Sequence, residues 1–132
     1  MDSKHNIVEI FNNKLTEFIN DLLKIHDDSD LLAFRTSINL MVCVDNKKPI
    51  RMFHKHIFVP YAERIENKDE TFFLEKDYST DVEVVGKEYV DFNNGLVNKI
   101  KQFWSEMESH NKDIVWKYLC LLVLLCNKFY KM

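Results

Sequence analysis

His54 and His56 form a His-x-His pair, and with Lys47, Lys48, Arg51 and Lys55 they make residues 47–56 the most basic stretch of the chain. Imidazoles two residues apart on a strand point to one side and can share a metal ion, whereas on a helix they diverge by about 200°. The segment reads as helical, so no shared metal is expected. What remains is a group of cations able to meet an acidic partner or a phosphate. Helical geometry is expected to spread Lys47, Lys48, Arg51, His54, Lys55 and His56 around their helix, and Asp45 and Glu63 to dilute their field.

Other chemistry is less well served. His26-Asp27-Asp28 offers nitrogen and oxygen ligands but falls where an interhelical turn needs polar caps. Glu70, Glu75 and Asp77 carry carboxylates, yet acid–base work needs two carboxylates with separated pKa values facing one pocket. No serine stands in a glycine-framed elbow, and Cys43, Cys120 and Cys126 sit beside apolar neighbours that raise a thiol pKa. Two isolated glycines, Gly86 and Gly95, make no phosphate-cradling loop. The chain is therefore expected to be no enzyme and to hold no cofactor or metal.

The elements that position these residues are helical. At 132 residues the chain is expected to be one domain, residues 1–132, able to bury roughly two thirds of the surface its unfolded form exposes. Its 46% hydrophobic and 13% aromatic content is globular, and the 30% of charged residues suits a solvated surface. A net charge of -3 argues against counterion-driven duplex binding. The odd number of cysteines in apolar settings reads as buried thiols in a reducing compartment. Met1 to Asn6 is polar and leads into an amphipathic helix, so neither a secretory signal nor a transit peptide is expected.

Only two glycines and two prolines occur, too few turn residues for an all-β domain. Val8, Phe11, Leu15, Phe18, Ile19, Leu22 and Ile25 predict a helix over 5–25. Ser29 or Asp30 is placed to cap a second, over 30–43, burying Leu31, Phe34, Ile38, Met41 and Val42. A third starts at Pro49 and should kink or break near Val59, because Pro60 removes one hydrogen bond. Asp69 is the expected cap of a short helix carrying Phe72, Phe73 and Leu74. A long loop is expected over 77–87, where Val82, Val84 and Val85 are β-branched and Ser79, Thr80, Asp81 and Gly86 favour turns. Helical spacing resumes over 88–107, from Tyr89 to Met107, and Ser109 or Asn111 can cap a last helix over 111–130.

That last helix contains an apolar run, Tyr118 to Cys126, with no polar face. Lys117 and Lys128 bracket only ten positions, whereas a membrane span takes ~20 apolar residues, so the run is expected at the centre of a bundle. The predicted fold is all-α, a single-domain bundle of about five to six helices around an apolar C-terminal helix.

Four stretches carry a resemblance: Phe11-Asn12-Asn13-Lys14-Leu15-Thr16-Glu17-Phe18, Phe34-Arg35-Thr36-Ser37-Ile38-Asn39-Leu40, Lys68-Asp69-Glu70-Thr71-Phe72-Phe73-Leu74 and Asn111-Lys112-Asp113-Ile114-Val115-Trp116-Lys117-Tyr118-Leu119. In these and in its overall wealth of Asn, Lys, Ile and Phe the chain resembles small uncharacterised helical proteins encoded by nucleocytoplasmic large DNA viruses, the giant viruses. The resemblance implies a virus-encoded protein of the host cytoplasm or the virion, and brings no activity or site residues with it. A bundle around an apolar helix is also similar in outline to the apoptosis-blocking fold, whose groove takes a partner's amphipathic helix. This chain lacks that family's Asn-Trp-Gly-Arg motif, since Ser105 and Glu106 follow Trp104.

The expected function is that of a non-enzymatic interaction or structural protein that binds a protein partner or itself. A nucleic-acid-associated accessory role through Lys47, Lys48, Arg51, His54 and Lys55 is the alternative, as is an apoptosis-blocking groove; duplex binding and a membrane span are not expected.

Overall fold

Val8, Phe11, Leu15, Phe18, Ile19 and Leu22 recur at steps of one, three and four, and all six are buried along one side of helix α1 (Ser3–Ile25). They pack against α7 (Ser109–Lys131), whose buried set is Val115, Trp116, Leu119, Leu122, Val123, Leu125, Cys126 and Phe129. Within the apolar run Tyr118 to Cys126 only Leu124 is exposed, at 50%, so the protein covers the run itself. This is a computed structural model, and it describes residues 3–74, 83–85, 88–90 and 96–132. Among the described residues no helix is long and apolar enough to cross a membrane.

Helix α2 (Ser29–Val44) follows a tight turn. The cap is Asp28 and not Ser29 or Asp30: its Oδ1 accepts the Asp30 amide at 2.8 Å and the Leu31 amide at 3.0 Å. A capping side chain reaches amides two and three residues ahead, which puts Ser29 and Asp30 inside the first turn. Leu31, Phe34, Ile38 and Met41 are buried and Val42 is half-buried.

Helices α3 (Lys48–Phe53) and α4 (Val59–Glu66) are joined by a π-helical stretch, His54–Phe58, into one rod. Where the sequence suggests a kink or break near Val59, the helix does not break but changes type, and the Val59 amide donates to the His54 carbonyl five residues back. The widened turn accommodates Pro60, which has no amide hydrogen to give. Lys68, at φ 50, turns the chain into α5 (Thr71–Leu74), and Asp69 Oδ1 accepts the Thr71 amide at 3.1 Å and its hydroxyl at 2.6 Å, as its expected capping role requires.

Two three-residue strands, β1 (Glu83–Val85) and β2 (Glu88–Val90), pair antiparallel in the register Glu83 with Val90, Val84 with Tyr89 and Val85 with Glu88, and β2 lies beside α2. Strand β1 falls inside the stretch 77–87 expected as a loop, and β2 replaces the start of the helix expected from 88. β-branched Val84, Val85 and Val90 favour the extended pairing. The rest of the expected loop, and Gly95, lie outside the described residues. From residue 96, where the described residues resume, the chain is helical and continues as α6 (Asn98–Trp104). Helix α7 starts at Ser109 after Glu108, with no side-chain cap from Ser109 or Asn111.

Six helical rods among the described residues thus build the all-α bundle, with α7 against α1, α4 and the π-helical stretch. Near one end Phe73 stacks on Trp104 at 4.3 Å and meets Trp116 at 4.9 Å. Of the thiols expected to be buried, Cys126 is, Cys120 is half-buried and Cys43 is exposed. Cys43 lies on the side of α2 opposite its core residues.

Candidate interaction faces

The five predicted basic residues are brought together. Lys47, Arg51 and Lys55 follow at four-residue steps, and at 3.6 residues per turn all five fall within about a third of the rod's circumference. Pro49, Ile50, Met52, Phe53, His56 and Ile57 occupy the buried side, while Arg51 and Lys55 are exposed and Lys47, Lys48 and His54 half-buried. The expectation that a helix would spread the basic residues around is therefore corrected for these five, because of the four-residue spacing itself, and holds only for His56, which is buried on the other side.

His54 adds little positive charge to this face at neutral pH. Its ring lies 3.8 Å from that of Tyr130 and 5.2 Å from that of Phe58, stacked on both, and desolvation holds its pKa below the ordinary value. Tyr130 is shifted the other way, upward, by burial first and by Cys126, against the lowering effect of Arg51. His56 is buried on the opposite side, so the pair shares no metal.

The remaining chemical candidates are used structurally. His26 stacks on Phe103 at 3.7 Å. Asp28 caps α2, and Lys99 lies 3.5 Å from Asp28 Oδ2 and 2.6 Å from Asp30 Oδ2. Glu70 Oε1 accepts the Trp104 indole at 2.9 Å and Lys112 at 3.3 Å, and these bonds hold its carboxyl below the usual range. Glu75 and Asp77 lie outside the described residues. Burial pushes the Cys120 thiol up and the Cys126 thiol up to about 12, leaving both protonated at neutral pH. Among the described residues no group of three or more His, Cys, Asp or Glu could hold a metal ion.

A face that the sequence reading passed over is the outside of α2. Leu32, Ala33, Thr36, Asn39, Leu40, Cys43 and Val44 are all exposed and none is charged. Leu32 is 45% exposed, Leu40 49% and Val44 81%. The signal was present: between Asp30 and Asp45 the only charged residue is Arg35, so α2 has apolar side chains on both faces. Scattered exposed aliphatics are ordinary, but here they form one uncharged strip along residues 32–44 of a single helix. Along its edge Asn39 and Cys43 also line a groove of about 650 Å³ against α1, with Asn12, Asn13, Thr16 and Glu17 opposite. There Asn12 Nδ2 donates to the Asn46 carbonyl at 2.8 Å, which ties α1 to the turn that starts α3.

No family model, curated protein or solved structure matches the chain.

Proposed function

We propose that the protein is a non-enzymatic interaction protein that docks a protein partner on the outer face of α2. The observation that carries this reading is the uncharged, exposed strip of Leu32, Leu40 and Val44 on a helix whose other face already fills the core. Raised thiol pKa values and the structural use of Glu70, Asp28 and His26 favour binding over catalysis. The chain lacks the Asn-Trp-Gly-Arg motif of the apoptosis-blocking fold, Ser105 and Glu106 following Trp104, so the strip and not a groove of that kind is the preferred site. The resemblance in composition to giant-virus proteins supports placing this role in an infected cell's cytoplasm or in the virion. Affinity capture with the parent and with Leu40→Glu tests the docking: a bound protein retained by the parent and lost by a still-helical variant supports it, and equal capture by both overturns it.

A second reading has its own observation. Lys47, Lys48, Arg51 and Lys55 share one face, an arrangement suited to an anionic partner such as a nucleic acid. It ranks second because the net charge is -3 and desolvation lowers the His54 pKa, which disfavours its charged form. A mobility shift at about 150 mM salt that disappears on Lys48→Glu plus Arg51→Glu would reverse the order.

A further inference from the structure

The strip on α2 has polar ends of opposite sign. Asp27, Asp28 and Asp30 stand at the start of the helix, and Lys47, Lys48 and Arg51 follow its end. Lys99 offsets part of the first group, at 2.6 Å from Asp30 Oδ2, and Asp45 part of the second. An acidic start and a basic finish suit the helix dipole within one chain. Between them runs an uncharged strip, so the surface as a whole is complementary to itself turned end for end.

We propose that the partner docked on this face is a second copy of the chain, paired antiparallel through α2 about a two-fold axis. The proposal rests on the reading of α2 as a docking face and names the occupant. With the axis beside position 38, Leu32 faces Val44, Ala33 faces Cys43 and Thr36 faces Leu40, so each exposed aliphatic meets an aliphatic or small residue, and Asn39 lies near Ser37 at the centre. The antiparallel arrangement also sets the acidic end of each α2, where Asp27 is exposed, toward the other copy's basic end at Lys47 and Lys48, and opposes the two helix dipoles. A parallel arrangement would set acid against acid and base against base. Every contact occurs twice, as an isologous interface requires. One 16-residue helix is about 24 Å long, a small contact, so the dimer is expected to be in exchange with the monomer.

Sedimentation velocity from about 1 to about 500 µM tests this. The parent should shift from monomer to dimer as concentration rises, and Leu40→Glu should remain monomeric with an unchanged circular dichroism spectrum. Asp27→Lys should weaken association about tenfold, and adding Lys48→Asp should restore it, because the swapped charges again oppose across the axis. Alkylation of Cys43 should slow on dimerisation in the parent and not in Leu40→Glu. A parent that stays monomeric at the highest concentration, or a double charge variant no better than Asp27→Lys, overturns the pairing. If the parent is monomeric yet captures a different protein through Leu40, the self-pairing falls while the docking face stands; a monomer that captures nothing removes both.

Discussion

The Tyr118 hydroxyl on α7 donates to Asp21 Oδ2 on α1 at 2.7 Å, and the same ring stacks on Phe18 at 5.1 Å. One residue thus supplies both a polar and an apolar link between helices 97 positions apart in sequence. The bond to Asp21, with burial and the charges of Asp21 and Glu17, pushes the phenol from 10.0 up to about 12.

Tyr118 therefore makes the bundle sensitive to alkali. A folded pKa above the unfolded one contributes stability that is complete below the unfolded value and is lost as pH rises through the folded value, so the window lies between about 10 and about 12. Tyr118→Phe keeps the stack and should cost about 1 kcal/mol near neutral pH, the ordinary worth of one hydrogen bond. Urea midpoints measured across that window should fall more steeply for the parent than for the variant.

His54 should titrate below the ordinary histidine value in NMR spectra, because its stacked ring is partly withdrawn from water. The sign follows from the unfolded state binding the proton more readily: its contribution is present above the unfolded pKa of 6.5 and is lost as pH falls below it. Tyr130→Ala opens the ring to solvent and should move the titration back up. An unchanged midpoint in that variant would show that the stack does not set it.

Asp28→Ala should cost about 1 kcal/mol through the lost cap, whereas Asp28→Asn keeps an acceptor for the Asp30 and Leu31 amides and should cost less. Burial raises the Asp28 carboxyl, but the Leu31 amide, Lys99 and the Asp30 amide outweigh it and leave the pKa lowered. Its contribution is accordingly present above the unfolded carboxyl value and lost as pH falls through the folded one. Thermal melts from pH 7 down into the acid range should show a smaller decline for Asp28→Ala than for the parent.

Leu122 is fully buried at the centre of α7. Leu122→Ala should lower stability by about 2 to 5 kcal/mol, from lost transfer energy plus a cavity. An unchanged denaturant midpoint would show that α7 is not the helix around which the core is built.

What the sequence made legible was whatever one helix face decides. The inner residues of α1 follow from spacing alone, the burial of α7 follows from its unbroken apolar run, and the place of Asp69 before α5 follows from its type. Tyr89 marks where periodicity stops informing: it fits a helical spacing with later apolar residues, yet it lies in β2 and pairs with Val84, a tertiary outcome that spacing cannot rank. The cap at Asp28 was missed by one residue because three carboxylate or hydroxyl side chains in a row, Asp28, Ser29 and Asp30, all qualify by type. The gathering of Lys47, Arg51 and Lys55 was legible in their four-residue steps. The outer face of α2 was harder to see, because a helix apolar on both sides offers little contrast from which to read an inside and an outside.

The pairing of α1 with α7 also sets a timetable. During synthesis the apolar side of α1 leaves the ribosome well before the helix that covers it, and at ~5–20 residues per second the interval is on the order of ten seconds. Full burial of the earliest helix thus waits on α7, and a nascent chain arrested ahead of Ser109 carries Leu15 and Phe18 without the α7 side chains, Tyr118 among them, that cover this side of α1.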